Sequence, residues 1–255
     1  MIFTELFFAA LGIGIVSSIL GVGGGIFMVP LLTLAGFVPS IREAAGTSIA
    51  GVVFTSLSSS IVYWSRGQIN VRIGLLLMPT TILGAWYGAR LTEIINPHWL
   101  AAGFGVLLLY PVSMMIQGKE PKNIRFSLHG EPTGKRLYTT AVVLGLIAGT
   151  ASGMFGIGGG TVMVPALAVF LGLDIVTAAA TSLFVMVPSA IVGTVQHWLE
   201  GNLYVALAIP LILGITIGAQ IGPRIGTRIP KRRLRQGFGV ILLYAAANMF
   251  IKAFH

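Results

Sequence analysis

Two copies of one glycine-rich stretch constrain this chain more than any other feature. The first is Gly21-Val22-Gly23-Gly24-Gly25-Ile26-Phe27-Met28-Val29-Pro30, and the second is Gly156-Ile157-Gly158-Gly159-Gly160-Thr161-Val162-Met163-Val164-Pro165. Each packs four glycines into five positions. An interior glycine costs a helix about 1 kcal/mol relative to alanine, so a continuous helix tolerates such a stretch badly. The pattern predicts a helix break at each copy.

The surroundings decide what that break meets. Of 255 residues, 55% are hydrophobic and only 9% charged, with a mean hydropathy of +0.92. Soluble domains carry about 25% charged residues. Several apolar runs exceed the ~18 residues that mark a membrane span. The fold class expected is an all-α polytopic membrane protein. In lipid, irregular backbone survives only where it is buried in protein or lines a wet cavity. Two broken helices at membrane depth, facing each other, therefore predict a site.

The motif is part of a larger duplication. Gly21 and Gly156 lie 135 residues apart, as do Pro30 and Pro165. One residue then drops out, and Thr47-Ser48 falls on Thr181-Ser182 at an offset of 134. At that offset Trp64 and Gly67 meet Trp198 and Gly201, and Gly84, Gly88 and Arg90 meet Gly218, Gly222 and Arg224. Gly103-Phe104-Gly105 and Tyr110 meet Gly237-Phe238-Gly239 and Tyr244. Shared hydrophobicity does not place glycines, aromatics and an arginine in the same order. The expected organisation is an N-terminal repeat, 1–116, a linker, 117–136, and a C-terminal repeat, 137–255. Each repeat reads as about five helical segments. These are 3–20, 26–38, 44–64, 71–92 and 98–116, then 137–155, 161–172, 176–198, 203–222 and 233–254. Segments 26–38 and 161–172 are short for ~30 Å of hydrocarbon at about 1.5 Å per residue, so they read as half-helices or re-entrant arms.

Loop charges give an orientation. Connection 65–70 carries Arg66 where its counterpart 199–202 carries Glu200, and 93–98 is nearly neutral where 223–235 holds six basic residues, Arg224, Arg228, Lys231, Arg232, Arg233 and Arg235. Equivalent loops with opposite bias lie on opposite sides under the positive-inside rule. The repeats are then inverted, with the linker inside and both termini outside. Inverted repeats with broken helices are a recurring transporter plan.

The net charge of +9 and pI near 10.4 would in a soluble chain suggest nucleic acid. Here the basic residues concentrate in 117–136 and 222–236, where they mark a face against anionic lipid. With no cysteine, disulfides, thiolate chemistry and Cys metal sites are excluded. The N-terminus lacks a basic region before its apolar run and carries Glu5, so it reads as a retained span rather than a cleaved signal.

The chemistry expected at the site is anion binding. At Gly23, Gly24 and Gly25, and at Gly158, Gly159 and Gly160, a break frees backbone N–H groups at a half-helix N-terminus. The competing reading is close helix packing, because Gly21/Gly25 and Gly156/Gly160 are also small-xxx-small pairs. Thr47, Ser48, Thr181 and Ser182 can donate to an oxyanion without adding charge, or else bond their own or neighbouring helices. Ser56, Ser58, Ser59 and Ser60 read chiefly as packing. Trp64 and Trp198 read as interface anchors, and His197 as a satisfied interface histidine. Arg42 and Glu43 read as a local pair and Asp174 as a helix cap. No carboxylate relay, phosphate loop, metalloprotease motif or nucleophile elbow is present in the spans. No catalytic residue, cofactor or metal is expected.

The paired G-[VI]-G-G-G-x-x-M-V-P motifs, each followed by an Ala-rich approach to Thr-Ser, resemble the TauE/SafE family of membrane permeases over nearly the whole chain. That resemblance implies a carrier in a bacterial-type inner (plasma) membrane, associated with export of sulfite and organosulfonates such as sulfoacetate, or of other small organic anions. A related sulfur-transport group that depends on cysteines is a poorer match. Taken together, the expectation is a secondary transporter exporting a small oxyanion by alternating access. Its partners would be that solute and membrane lipids, with no nucleic acid, and a homodimer is left open. The rivals are an anion channel with a paired glycine-loop filter, a permease for another organic anion, and a non-transporting scaffold.

Overall fold

The computed structural model describes residues 2–116, 135–225, 240 and 243–251. Among these residues the secondary structure is helical throughout. The elements are α1 (Ile2–Leu20), α2 (Gly25–Leu34), α3 (Ile41–Ser65), α4 (Val71–Ile94), α5 (Pro97–Ile116), α6 (Lys135–Phe155), α7 (Gly160–Phe170), α8 (Ile175–Leu199) and α9 (Val205–Ile225). A tenth helical stretch, α10, covers 243–251. Most of the linker expected over 117–136 and much of the segment 233–254 lie outside the described residues. Lys135 and Arg136, placed in the linker by the sequence reading, begin α6 instead.

Five helices, α1, α3, α6, α8 and α9, are long and apolar enough to cross a membrane. α4 is 24 residues long, but Arg72, Arg90 and Glu93 make it less apolar. With 10 and 11 residues, α2 and α7 reach only about 15 Å each at 1.5 Å per residue.

Local chemistry sets the helix starts. The Ser40 hydroxyl accepts from the Arg42 amide at 3.2 Å to begin α3. The Asn70 side chain accepts from the Ile73 amide at 3.1 Å to begin α4. Asp174 caps α8 as expected, accepting from the Val176 and Thr177 amides at 3.0 and 3.1 Å. Each side chain satisfies a donor that has no intrahelical acceptor.

The principal packing is between the repeats rather than within them. α1 lies along α9 and α4 along α6. Glycines make both approaches possible. A Cβ on Gly218 would sit 2.2 Å from the Leu11 carbonyl oxygen, and one on Gly88 would sit 2.2 Å from that of Thr150. With no solvent-driven collapse inside lipid, such close backbone contact is what holds helices together. Gly214, Gly218 and Gly222 meet the turns at Phe7, Leu11 and Ile15 in rising order, so α1 and α9 run parallel. Gly145, Gly149 and Gly153 meet Leu77, Thr81 and Ala85, so α4 and α6 are parallel too. α3 and α8 run antiparallel: Gly46 meets Asn202 at one end, and the Asn70 amide meets Thr181 at the other. One buried apolar cluster draws on α1, α2, α3, α5, α6, α8, α9 and α10, and a second on α4, α6, α7 and α8.

Candidate functional site

Both glycine tracts break their helices. Residues 21–24 separate α1 from α2, and 156–159 separate α6 from α7. Gly21, Gly23 and Gly24 have φ of +75°, +78° and +91°, and Gly156, Gly158 and Gly159 have +66°, +82° and +72°. L side chains avoid that left-handed region, which is why glycine recurs at these six positions. Gly24 and Gly159 are the N-caps of α2 and α7, and neither helix has a side-chain cap. The N–H groups of Gly23–Gly25 and Gly158–Gly160 meet no acceptor among the described residues. Two uncapped helix N-termini, each carrying partial positive charge, therefore sit in the interior.

The tracts touch each other. A Cβ on Gly25 would lie 2.1 Å from the Gly156 carbonyl oxygen, and one on Gly160 would lie 2.4 Å from that of Gly21. The close-packing reading of these glycines therefore holds. Gly23 and Gly158 face one shared pair of side chains, Val52 and Met186, which themselves match at the 134-residue offset. From the Cβ position of Gly23, Val52 and Met186 are each 3.2 Å away; from that of Gly158 they are 2.6 and 2.9 Å away. Both are buried, so an apolar pair covers the point where the tracts converge.

All four sequence-predicted hydroxyls join one repeat to the other, but only the two serines reach the glycine tracts. Ser48 donates to the Gly156 carbonyl at 2.9 Å, and Ser182 reaches the Gly21 carbonyl at 3.4 Å. Thr47 accepts from the Tyr204 amide at 3.1 Å, and Thr181 accepts from the Asn70 amide at 3.0 Å. The serines are engaged as donors to protein, whereas the threonines use only their oxygen lone pairs and keep their hydroxyl hydrogens. Two further hydroxyls were not singled out from the sequence. Ser17 Oγ lies 3.2 Å from the Cβ position of Gly24, and the Ser152 Cβ lies 3.3 Å from that of Gly159. These serines match at the 135-residue offset, a signal that was available. The Ser152 hydroxyl is buried with no partner.

Of the remaining serines, Ser56 bonds the Val52 carbonyl at 2.7 Å and Ser58 bonds that of Thr216 at 3.0 Å, while Ser59 and Ser60 are buried and unpartnered. Trp64 and Trp198 are 57% and 63% exposed, as anchors in a membrane interface require.

One local pairing is corrected. Arg42 does not pair with Glu43, which instead accepts from the Ser40 hydroxyl. Arg42 lies 3.7 Å from the Glu93 carboxylate and donates to the Glu93 and Ile95 carbonyls at 2.9 Å each. Neighbours one apart on a helix point in different directions, and the end of α4 arrives where Arg42 reaches. The described residues contain no group of three His, Asp or Glu placed to hold a metal. Surface clefts of about 510 Å³ beside α7 and about 580 Å³ between α1 and α9 are lined almost wholly by apolar side chains, which suits lipid rather than an anion.

The family model described as sulfite exporter TauE/SafE matches residues 6–249. A probable membrane transporter protein of Bacillus subtilis, YdhB, is 34% identical over 208 residues, covering 79% of this chain and 81% of its own length. A second from the same organism, YunE, is 31% identical over 231 residues, covering 84% and 85%. A sulfite exporter TauE/SafE family protein 3 of Arabidopsis thaliana is 30% identical over 103 residues, 40% of this chain and 21% of that protein.

Proposed function

This chain belongs to the TauE/SafE family of multi-pass membrane transporters, which are not enzymes, and we propose that it exports a small oxyanion, sulfite or an organosulfonate such as sulfoacetate, across the plasma membrane. The observation that carries this reading is the meeting of two uncapped helix N-termini, at Gly24 and Gly159, across glycine tracts in mutual contact. Backbone N–H groups with no acceptor attract an anion, and glycine lets it approach them closely. In this reading the amides of Gly23–Gly25 and Gly158–Gly160 hold the charged head. Thr47 and Thr181 add hydroxyl donors, and Ser48 and Ser182 exchange a glycine carbonyl for the solute as the repeats move.

Alternating access comes from rocking of one bundle against the other around this centre. The antiparallel course of α3 and α8, which are equivalent helices, supports reading the repeats as inverted, with the linker at 117–136 cytoplasmic. An inside-negative potential favours anion exit by about 2.3 kcal/mol per charge per 100 mV, roughly a forty-fold gradient. Export then proceeds without an obligatory coupled ion.

Purified protein in liposomes under an imposed potassium-diffusion potential tests the reading. Saturable sulfite or sulfoacetate flux with counterflow, driven towards the positive side, is expected. Absence of saturable flux for sulfite, sulfate, thiosulfate, sulfoacetate and lactate would overturn it, and single-channel currents would replace the carrier with a channel.

A further inference from the structure

At each end of the α3–α8 pair, a short connection from one repeat closes over the start of a long helix in the other. The Tyr204 amide donates to Thr47 of α3 at 3.1 Å, and the Asn70 amide donates to Thr181 of α8 at 3.0 Å. Each glycine tract lies beneath one of these two mouths. Under the first, a Cβ on Gly156 would sit 2.2 Å from the Ala45 carbonyl oxygen, and Thr92, near the end of α4, donates to the Met154 carbonyl at 3.0 Å. Under the second, a Cβ on Gly21 would sit 2.5 Å from the Cα of Ala179, the counterpart of Ala45.

The two mouths are not closed alike. At the first, Glu93 Oε1 accepts from the Asn202 side-chain amide at 2.6 Å, while Oε2 lies 3.7 Å from Arg42 Nη1. Arg42 Nη2 donates to the Glu93 and Ile95 carbonyls at 2.9 Å each, so it holds the last turn of α4 as well as its carboxylate. Gly46 admits the Asn202 backbone, whose carbonyl oxygen lies 2.5 Å from its Cβ position. At the second mouth the counterparts of Arg42, Glu93 and Gly46 are Val176, Thr227 and Ala180, and none is charged. Gln68, the counterpart of Asn202, has a buried Oε1 with no partner. Arg66 holds that end by donating to the Pro223 carbonyl at 2.7 Å, with no carboxylate involved.

An ion pair whose side chains are 25% and 37% exposed adds little by itself. Here the same carboxylate also accepts from Asn202, which is buried, and a hydrogen bond to a charged group is stronger than a neutral one. The start of α3, the end of α4 and the 200–204 connection are therefore joined through one side chain. The Asn202 bond carries that join from one repeat to the other.

We infer that Glu93, held between Arg42 and Asn202, is the centre of a latch that closes this mouth over the second glycine tract, and that the opposite mouth lacks its equivalent. Opening here requires Glu93 to release Asn202, after which the connection lifts from Gly46 and Thr47 and uncovers Gly156. Opening at the other mouth breaks no bond to a carboxylate. The part the latch plays in solute movement rests on the carrier reading, whereas the latch itself does not.

The chain has no cysteine, so a single thiol reports on each mouth without background. Ser48→Cys places one beside Gly156, behind the latch, and Ser182→Cys places one beside Gly21, beneath the other mouth. Purified protein in detergent is labelled with a small methanethiosulfonate bearing a sulfonate, and the rate is followed by mass. Adding Glu93→Ala or Asn202→Ala is expected to speed labelling of Ser48→Cys about tenfold, as loss of a hydrogen bond to a charged group shifts an equilibrium. Asn202→Asp, which sets a second carboxylate against Glu93, is expected to do at least as much. Glu93→Gln keeps an acceptor for Asn202 and is expected to do less than Glu93→Ala. None of these changes is expected to speed labelling of Ser182→Cys. An unchanged Ser48→Cys rate in folded Glu93→Ala protein overturns the latch, and so does equal acceleration of both thiols, which marks general loosening. Sulfoacetate flux through the native protein in liposomes is measured alongside. Selective acceleration with no saturable flux leaves the latch standing and defeats the carrier reading alone, whereas saturable flux with no acceleration defeats the latch alone.

Discussion

The hydroxyl of Ser48 donates to the carbonyl oxygen of Gly156 at 2.9 Å, across 108 residues of chain. Its counterpart Ser182 makes the same bond to Gly21 at 3.4 Å. Each break strips a carbonyl of its helical donor in an interior that has few others to offer, and the opposite repeat supplies one. The two breaks are therefore mutually supported, and neither repeat can present its glycine tract alone.

Ser48→Ala leaves the Gly156 carbonyl without that donor in a buried position, a cost of about 1–3 kcal/mol. Ser182→Ala, removing the longer bond, is expected to cost less. Thermal midpoints in detergent check the order, and equal or negligible losses would show that the bonds do not support the breaks.

Gly25→Ala and Gly160→Ala are expected to be far worse than an ordinary helix substitution. Each new Cβ meets backbone at 2.1 or 2.4 Å, which cannot yield as a flexible side chain does, and overpacking costs about 1–3 kcal/mol or more. Gly12→Ala, with nothing within 4 Å, is expected to be neutral or to stabilise α1 by up to about 1 kcal/mol. Folded yield and thermal midpoint distinguish the two outcomes. A tolerated Gly25→Ala would mean that the tracts are not in contact.

Met186→Ala and Val52→Ala are expected to widen the space where Gly23 and Gly158 converge. If these side chains cover the anion path, the pair admits bulkier organosulfonates in liposome flux, while each truncation of a buried side chain costs stability, about 2–5 kcal/mol for methionine. Unaltered selectivity in folded variants would remove the two residues from the path.

Asp174 gives a pH dependence. Partial burial raises its carboxyl, but hydrogen bonds from Thr177 and Val176 more than offset this and hold it below its ordinary value. The charged form therefore adds stability above the unfolded-state value, and that contribution is lost as pH falls through the folded one. Asp174→Ala is expected to cost about 1 kcal/mol at neutral pH, while Asp174→Asn, which keeps the acceptor, costs less. The gap between native protein and Asp174→Ala is expected to shrink below about pH 3.9. Thermal midpoints across that range measure it, and a gap constant with pH would contradict the capping role.

Much of this was legible in order along the chain. The breaks at 21–24 and 156–159 follow from glycine content, and the Asp174 cap follows from a side chain bonding amides two and three residues away. Pairings over long distance were not legible. Arg42 has Glu43 beside it in sequence, yet α4 delivers Glu93, and Ser40 occupies Glu43. His197 read as an interface residue because it precedes Trp198, but one face of that turn is exposed and the other is sealed against Gly153.

The residue string alone determined the duplication, the membrane setting and the two helix breaks, because these depend on composition and on backbone freedom within a few residues. Only the folded arrangement decided that the repeats exchange partners, α1 with α9 and α4 with α6, and that the serines face the opposite glycine tract. Those outcomes depend on which backbones can approach within contact distance, and residues more than 100 positions apart meet only when whole helices have docked.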